Sequence, residues 1–413
     1  MNVLWITNIG MPPICEAMGL PVPAIGGWMY SSLRRVKELG DIRFAVATTW
    51  HGDHAVEKNI DGVTYHMLPL KGHSNNVYNS HLEEEWRRIR DSFRPDVVHV
   101  HGSEFPLGLA YVRAYGSAGV TVSIQGMLSV YARYYCAGIT EKEVRGNMTL
   151  RDILRGTIMH DRREMAQRGV YETELLRSVN HIIGRTQWDC DNTRAVNPEA
   201  AYHFCNETLR ESFYTGRWSP ESCRRHRIFV SQAIYPIKGL HKLLQAMPLI
   251  LREYPDTQIL VGGTDIVHRP WYRLTGYGHY IQRLIEANGL EGKVEFAGML
   301  DERRMKEAYL SANVFVCPSS IENSPNSVGE AQLLGVPTVA AYVGGMADMI
   351  PTPGCGEMYR FEETAMLAGA VCRAFRNSES FDNTEMRQTA ALRHNPDMNA
   401  RTLARIYNEI VMR

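Results

Sequence analysis

The sequence predicts an α/β protein of two Rossmann-like domains, each an open parallel sheet covered by helices, facing a central cleft. Three observations predict it. Short apolar runs rich in β-branched residues alternate with segments of helical period, the pattern of parallel strands joined by crossover helices. At 413 residues the chain exceeds what one ordinary core organises, so two domains are expected. The alternation breaks once after about residue 205, through Thr215-Gly216-Arg217-Trp218-Ser219-Pro220, and resumes at Arg227-Ile228-Phe229-Val230.

In the first half, strands are expected at residues 3–7, 43–48, 97–101, 120–124 and 181–184. A helix over 28–39 stops at Gly40, a normal glycine just past a helix end. An arginine-rich helical insert spans about 129–178 and carries Arg145, Arg151, Arg155, Arg162, Arg163 and Arg168. It reads either as a solvated helical face or as a contact for an acceptor or headgroup. The second half repeats the scheme, with strands at 258–261, 293–296, 314–317 and 338–341. A last helix over 398–412 has no strand after it and is expected to pack back across the first domain. The boundaries so drawn are 1–210 for the first domain, 211–385 for the second, and 386–413 for the terminal helix.

Composition excludes several classes. Lys+Arg and Asp+Glu are both 45, so no global field favours nucleic acid or an anionic membrane, and any anion must be held locally. The hydrophobic fraction of 44% is that of a globular chain. Met1 and Asn2 lead straight into an apolar strand rather than a basic leader, and no run of about 18 apolar residues occurs. A cytoplasmic protein is expected, whose contact with a membrane is at most peripheral, at the inner face. The eight cysteines are scattered without a C-x-x-C pair, as reduced thiols are, and Cys317 reads as a small core residue. The oligomeric state is not legible.

The most informative segment runs from Ser319 to Pro337. It follows a buried strand, and Ser324 suits the N-cap, Pro325 the first helical position, and Gly335 with Pro337 the stop. In an open α/β sheet, ligands bind beyond the carboxyl ends of the strands, where such a helix points unpaired N–H groups and a partial positive charge. That is a phosphate site in outline. Glu322 precedes the helix and Glu330 lies on it, so two acceptor carboxylates flank an anion cradle, as suits a phosphorylated sugar. Asn326 and Ser327, at the helix mouth, complete the donor-binding set. In the first half, Ala24-Ile25-Gly26-Gly27 opens a helix, and paired glycines let backbone approach a bulky anion. Lys238-Gly239, between a strand and a helix, adds a positive charge at the corresponding sheet edge.

Other signals are weaker. Asp189 and Asp191 form a D-x-D, but on a helix residues two apart diverge by about 200° and cannot chelate one metal. His99 and His101 share a strand face. His99 reads as core, whereas His101, at the strand end, is a candidate ligand contact. No G-x-G-x-x-G follows the first strand and no Walker lysine motif occurs, which counts against dehydrogenases and NTPases.

ENSPNSVGE, YPIKGLHKLLQA, VEFAGML and GVPTVAAYVGGMADMI together resemble the retaining GT-B glycosyltransferases, in particular family 4 (group 1). The resemblance covers most of the second half and the first strand and helix. It implies transfer of a sugar from a UDP- or GDP-sugar to a glycan or glycolipid acceptor with retention, as in polysaccharide assembly, without metal or cofactor. It implies that Glu330 holds the ribose, Glu322 lies by the donor sugar, Lys238 meets the diphosphate, and Gly26 and Gly27 offer amides to the distal phosphate. Glu322 and Lys238 are the expected catalytic pair. Two positions depart from the pattern: Ala233 stands where an arginine is common, and Gln125, a candidate sugar contact, where a histidine is. CNETLRESF replaces the usual linker-side Asn-Gly, and Arg185 is a candidate for the missing charge. A sugar-nucleotide epimerase or hydrolase, or a non-catalytic binding subunit, are the alternatives.

Overall fold

The computed structural model describes residues 1–23 and 26–412. Ala24, Ile25 and Arg413 lie outside the described residues. Two compact units form: residues 1–131, 165–209 and 394–413 make the first, and residues 132–164 and 210–393 the second.

The first unit holds an eight-stranded sheet of β1 (Asn2–Thr7), β2 (Arg43–Trp50), β3 (Val56–Ile60), β4 (Val63–Pro69), β5 (Val97–His101), β6 (Val120–Ser123), β7 (His181–Gly184) and β8 (Ala201–Phe204). Their order is β3-β4-β2-β1-β5-β6-β7-β8, with β3 antiparallel to β4 and the remaining pairs parallel. β5 is buried throughout, as a strand covered by helices on both faces must be. The helix Gly27–Lys37 turns Met29, Leu33 and Val36 inward at helical spacing, and Arg34, Arg35 and Lys37 complement the negative end of its dipole. The helix Pro396–Val411 buries Leu403, Ile406, Tyr407 and Ile410 in the same apolar cluster. There Trp5 Nε1 donates to Tyr407 Oη at 2.9 Å.

The second unit holds a six-stranded parallel sheet of β9 (Arg227–Val230), β10 (Gln258–Val261), β11 (Val294–Phe296), β12 (Val314–Cys317), β13 (Thr338–Ala341) and β14 (Glu357–Tyr359). Their order is β11-β10-β9-β12-β13-β14. The order in which parallel strands are added switches sides at β1/β5 in the first unit and at β9/β12 in the second. At these switch points the loops leaving neighbouring strands splay apart and open a crevice for ligand.

The insert differs from expectation. It folds as the helices Leu128–Tyr134, Glu141–Gly146, Leu150–Arg155 and Ile158–Ser178, but residues 132–164 belong to the second unit rather than the first. The cause is packing: Ala137 and Ile139 are buried in the second unit's apolar cluster. The Ala137 carbonyl also accepts from His241 Nε2 at 2.9 Å, and Ser320 Oγ donates to the Tyr134 carbonyl at 2.9 Å. The last boundary moves as well, since residues 386–393 stay with the second unit and 394–413 complete the first.

Among the described residues no helix is long and apolar enough to cross a membrane.

Candidate functional site

The loops leaving β9 and β12 meet at the second unit's switch point. β12 is four buried residues, Val-Phe-Val-Cys, and its chain emerges through Ser319 and Ser320 into Glu322. The loop after β9 closes in the short turn Pro236–Lys238, which Gly239 terminates in the left-handed region (φ 72°). A Cβ at Gly239 would run into the Pro318 carbonyl, so glycine is what lets the two loops touch. Ser320 N donates to the Ile237 carbonyl at 2.9 Å and fixes their register.

This approach brings together the two residues expected to be catalytic. Lys238 Nζ lies 2.6 Å from Glu322 Oε1, and Ser319 Oγ donates to the same oxygen at 2.7 Å. Burial pulls the Lys238 ammonium down, but the Glu322 carboxylate more than offsets this and holds it above the ordinary lysine value. Lys238 is thus a fixed cation. Behind Glu322 stands Gly344 at φ 51°, where a Cβ would collide with the Glu322 carbonyl, while Gly345 N donates to that carbonyl at 3.0 Å. Cys317, next to the pair, is a thiol pushed up to about 12 by burial and by Glu322, and it is no nucleophile.

The helix Asn326–Leu334 starts one residue later than expected. Pro325 takes the cap position in extended backbone (ψ 122°), and its carbonyl accepts from Val328 N and Gly329 N. Ser324 is instead buried against Met349. Gly335 ends the helix in the left-handed region (φ 80°), as the sequence suggests. Asn326 Oδ1 is buried and has no hydrogen-bond partner among the described residues, while Tyr309 Oη donates to the Ser327 carbonyl at 2.9 Å.

Glu330 is held by a residue that sequence reasoning missed. Arg210 reaches its Oε1 through Nε at 2.9 Å and Nη2 at 2.6 Å. Burial raises the Glu330 carboxyl above its ordinary value, with Arg210 opposing. Arg210 lies 120 residues before Glu330, and no local pattern marks it. Ala233, where an arginine is common in the resembled pattern, is buried in the apolar core of this unit.

The first unit carries the other expected contacts at its own switch point. Gly26 caps the helix Gly27–Lys37 at φ 79°, a left-handed backbone that by itself favours glycine. His101 ends β5 with its ring 3.8 Å from that of His99 and 4.1 Å from that of Trp5. Neither of its ring nitrogens has a hydrogen-bond partner among the described residues. Burial, with His99 adding, holds it well below the usual histidine value, and His99 is lowered to about 3 by burial. Both rings are neutral. His101 lines a recess with Arg185 and Glu207, which form a buried ion pair. Gln125 Nε2 donates to Glu207 at 2.7 Å, and Arg185 Nη2 donates to the Ile124 carbonyl at 2.8 Å. Arg185 is therefore engaged inside the first unit. Glu104, three residues past β5 and also missed from sequence, has a carboxyl pushed up to about 7 by burial and by Glu172, with Arg185 and Arg168 opposing.

Asp189 and Asp191 do not converge. Asp189 is buried and accepts from Arg185 N and Tyr202 Oη, whereas Asp191 is bound by Gln187 at the surface.

Two open α/β units with these switch-point loops are the architecture of the GT-B glycosyltransferases. The chain resembles the sucrose-phosphate synthase of Thermosynechococcus elongatus, with a TM-score of 0.70 at 15% identity over 99% of both chains. It also resembles HepE of Anabaena in complex with UDP-glucose, with a TM-score of 0.65 at 14% identity over 99% of this chain and all of that one. Within that class, residues 224–377 match the family described as glycosyl transferases group 1. An uncharacterized glycosyltransferase of Methanocaldococcus jannaschii is 31% identical over 123 residues, 30% of this chain. The chain spans only 28% of that relative's length.

Proposed function

We propose that the chain is a retaining hexosyltransferase that moves a sugar from a UDP- or GDP-sugar to a glycan or glycolipid acceptor. The observation that carries this reading is the Lys238–Glu322 pair at the β9/β12 switch point, beside the start of the helix that bears Glu330. The group 1 match over 224–377 and a fold shared with a protein crystallised with UDP-glucose support it.

In this reading Glu330, oriented by Arg210, accepts from the ribose hydroxyls, and the amides of Asn326 and Ser327 face the donor. Lys238 meets the diphosphate. The bond from the anomeric carbon to the diphosphate oxygen breaks as the bond to the acceptor oxygen forms on the same face, and the leaving phosphate takes the acceptor proton. Negative charge grows on the departing oxygen, so a cation already in place stabilises the transition state more than the ground state. Glu322 keeps Lys238 oriented and lies by the sugar ring. In the first unit, Gly26 and Gly27 offer backbone amides to phosphate, and His101 and Gln125 offer neutral contacts to a sugar.

The test is a thermal-shift panel of nucleoside diphosphates and their sugars, followed by turnover with an acceptor pool. A ligand at 100 times its Kd stabilises by about 2.7 kcal/mol. One nucleotide should shift the melt, and its sugar should be consumed only when acceptor is present. Epimerised or hydrolysed donor without acceptor, or binding with no turnover, would replace this reading with one of the alternatives.

A further inference from the structure

The short helix Leu150–Arg155 is turned inside out. With about 100° per residue, Leu150, Ile153 and Leu154 fall on one arc and Asp152 on the opposite side. A surface helix ordinarily buries the apolar arc and hydrates the acid. Here Asp152 is buried, closing the Thr149 capping box and accepting from Gly276 N at 3.0 Å, while Ile153 and Leu154 are 69% and 74% exposed. Beside it, Thr149 Oγ1 donates to the Leu274 carbonyl at 2.7 Å. That bond ties the helix to the turn closed by Arg273 N and Leu274 N on the Pro270 carbonyl. The turn carries Tyr272 and Trp271, and Trp271 is 71% exposed, whereas the other six tryptophans are buried or half-buried.

Charge accompanies the apolar surface. Over residues 147–156 and 265–277 stand Arg151, Arg155, Arg269 and Arg273, against two acids, the buried Asp152 and Asp265, which pairs with His268. The chain as a whole is neutral, so this excess is local. Exposed aliphatics, an indole and a phenol flanked by arginines match an anionic lipid surface: the rings suit the headgroup boundary, the aliphatics the acyl edge, and the arginines the phosphates. A protein partner of ordinary polarity would leave four arginines to be matched one by one, which a lipid surface does collectively.

We propose that this face of the second unit, built by Leu150–Arg155 and the 270–274 turn, is a docking surface for anionic lipid bilayers. It does not rest on the donor assignment. The test uses the full chain with vesicles of phosphatidylcholine, with or without phosphatidylglycerol, read by flotation and by quenching of tryptophan emission with brominated acyl chains. Binding is expected to vesicles that carry phosphatidylglycerol, with quenching that Trp271→Phe largely removes while flotation persists. Leu154→Asp should lower the bound fraction at least about tenfold without moving the thermal melt, since Leu154 is solvated in the free protein. Arg151→Glu with Arg155→Glu should weaken flotation most at low salt. No flotation, flotation unchanged by Leu154→Asp, or self-association that Leu154→Asp dissolves without any vesicle binding would each overturn the proposal, the last in favour of a protein interface.

Discussion

Arg210 grips a single oxygen of Glu330 with two guanidinium nitrogens, at 2.9 and 2.6 Å. Both side chains are nearly buried, at 15% and 7% exposure. Removing one partner of such a pair leaves an uncompensated charge, which typically costs about 3–5 kcal/mol. Arg210→Ala should therefore lower stability in urea titrations toward that range. Glu330→Ala should in addition weaken donor binding by roughly 1.5–3 kcal/mol, as expected for lost hydrogen bonds to a charged group. Donor affinity unchanged in calorimetry would remove Glu330 from the site.

Lys238→Met keeps bulk and deletes the charge. If the lysine acts on the departing diphosphate, kcat should fall by about 10²–10³ while donor KM changes less. Near-normal kcat with raised KM would instead make it a uniform binding group. Arginine at 233 is not expected to rescue the variant: Ala233 is buried in the apolar core, and overpacking there costs about 1–3 kcal/mol. Turnover should survive EDTA, because the diphosphate charge is assigned to Lys238 and backbone amides.

Gly344→Ala tests how closely Glu322 is placed. The new Cβ would meet the Glu322 carbonyl at a backbone of φ 51°, so the loop must shift, at a cost of about 1–3 kcal/mol. Loss of activity larger than the loss of stability is the expected result, since the displaced residue is the partner of Lys238. A fully active Gly344→Ala enzyme would show that the placement of Glu322 has wide tolerance.

Glu104 gives stability a pH dependence with a definite sign. Its folded carboxyl is raised from 4.5 to about 7, so between those values the folded protein keeps a proton that the unfolded chain has lost. Stability must then fall as pH rises through that window. Glu104→Gln should flatten this part of the profile and raise stability above pH 7. An identical slope in the variant would assign the dependence to other groups.

The strands buried on both faces were legible, because β1, β9, β12 and β13 each carry an apolar run of three or more residues between turn signals, and β5, Val-Val-His-Val-His, carries three valines. β3, Val-Glu-Lys-Asn-Ile, was not, since it is a half-exposed edge strand with little hydrophobic signal. Its Asp61-Gly62 turn, with φ 50° and 74°, is the hairpin mark that could have revealed it. β8, Ala-Tyr-His-Phe, and β14, Glu-Met-Tyr, lie at sheet edges and lack the β-branched apolar run that marks short strands such as β10 and β12. Within the site, Glu322, Glu330 and Lys238 stood out because a helix start at a strand end is a local pattern. Arg210 did not, because its meaning comes from a partner 120 residues away. The insert misled for a similar reason: sequence showed its helices but not which core would accept Ala137 and Ile139.

The Trp5–Tyr407 hydrogen bond also sets a timetable for synthesis. β1 is translated before its packing partner, which is encoded 402 residues later. At about 5–20 residues per second, the indole waits roughly 20–80 s for that phenol. Most of the second unit, residues 210–393, emerges in the meantime. The first unit, begun before the second, is thus completed after it. A chain truncated before residue 396 would leave the surface of Met29, Leu33 and Val36 open to chaperones until the helix Pro396–Val411 arrives.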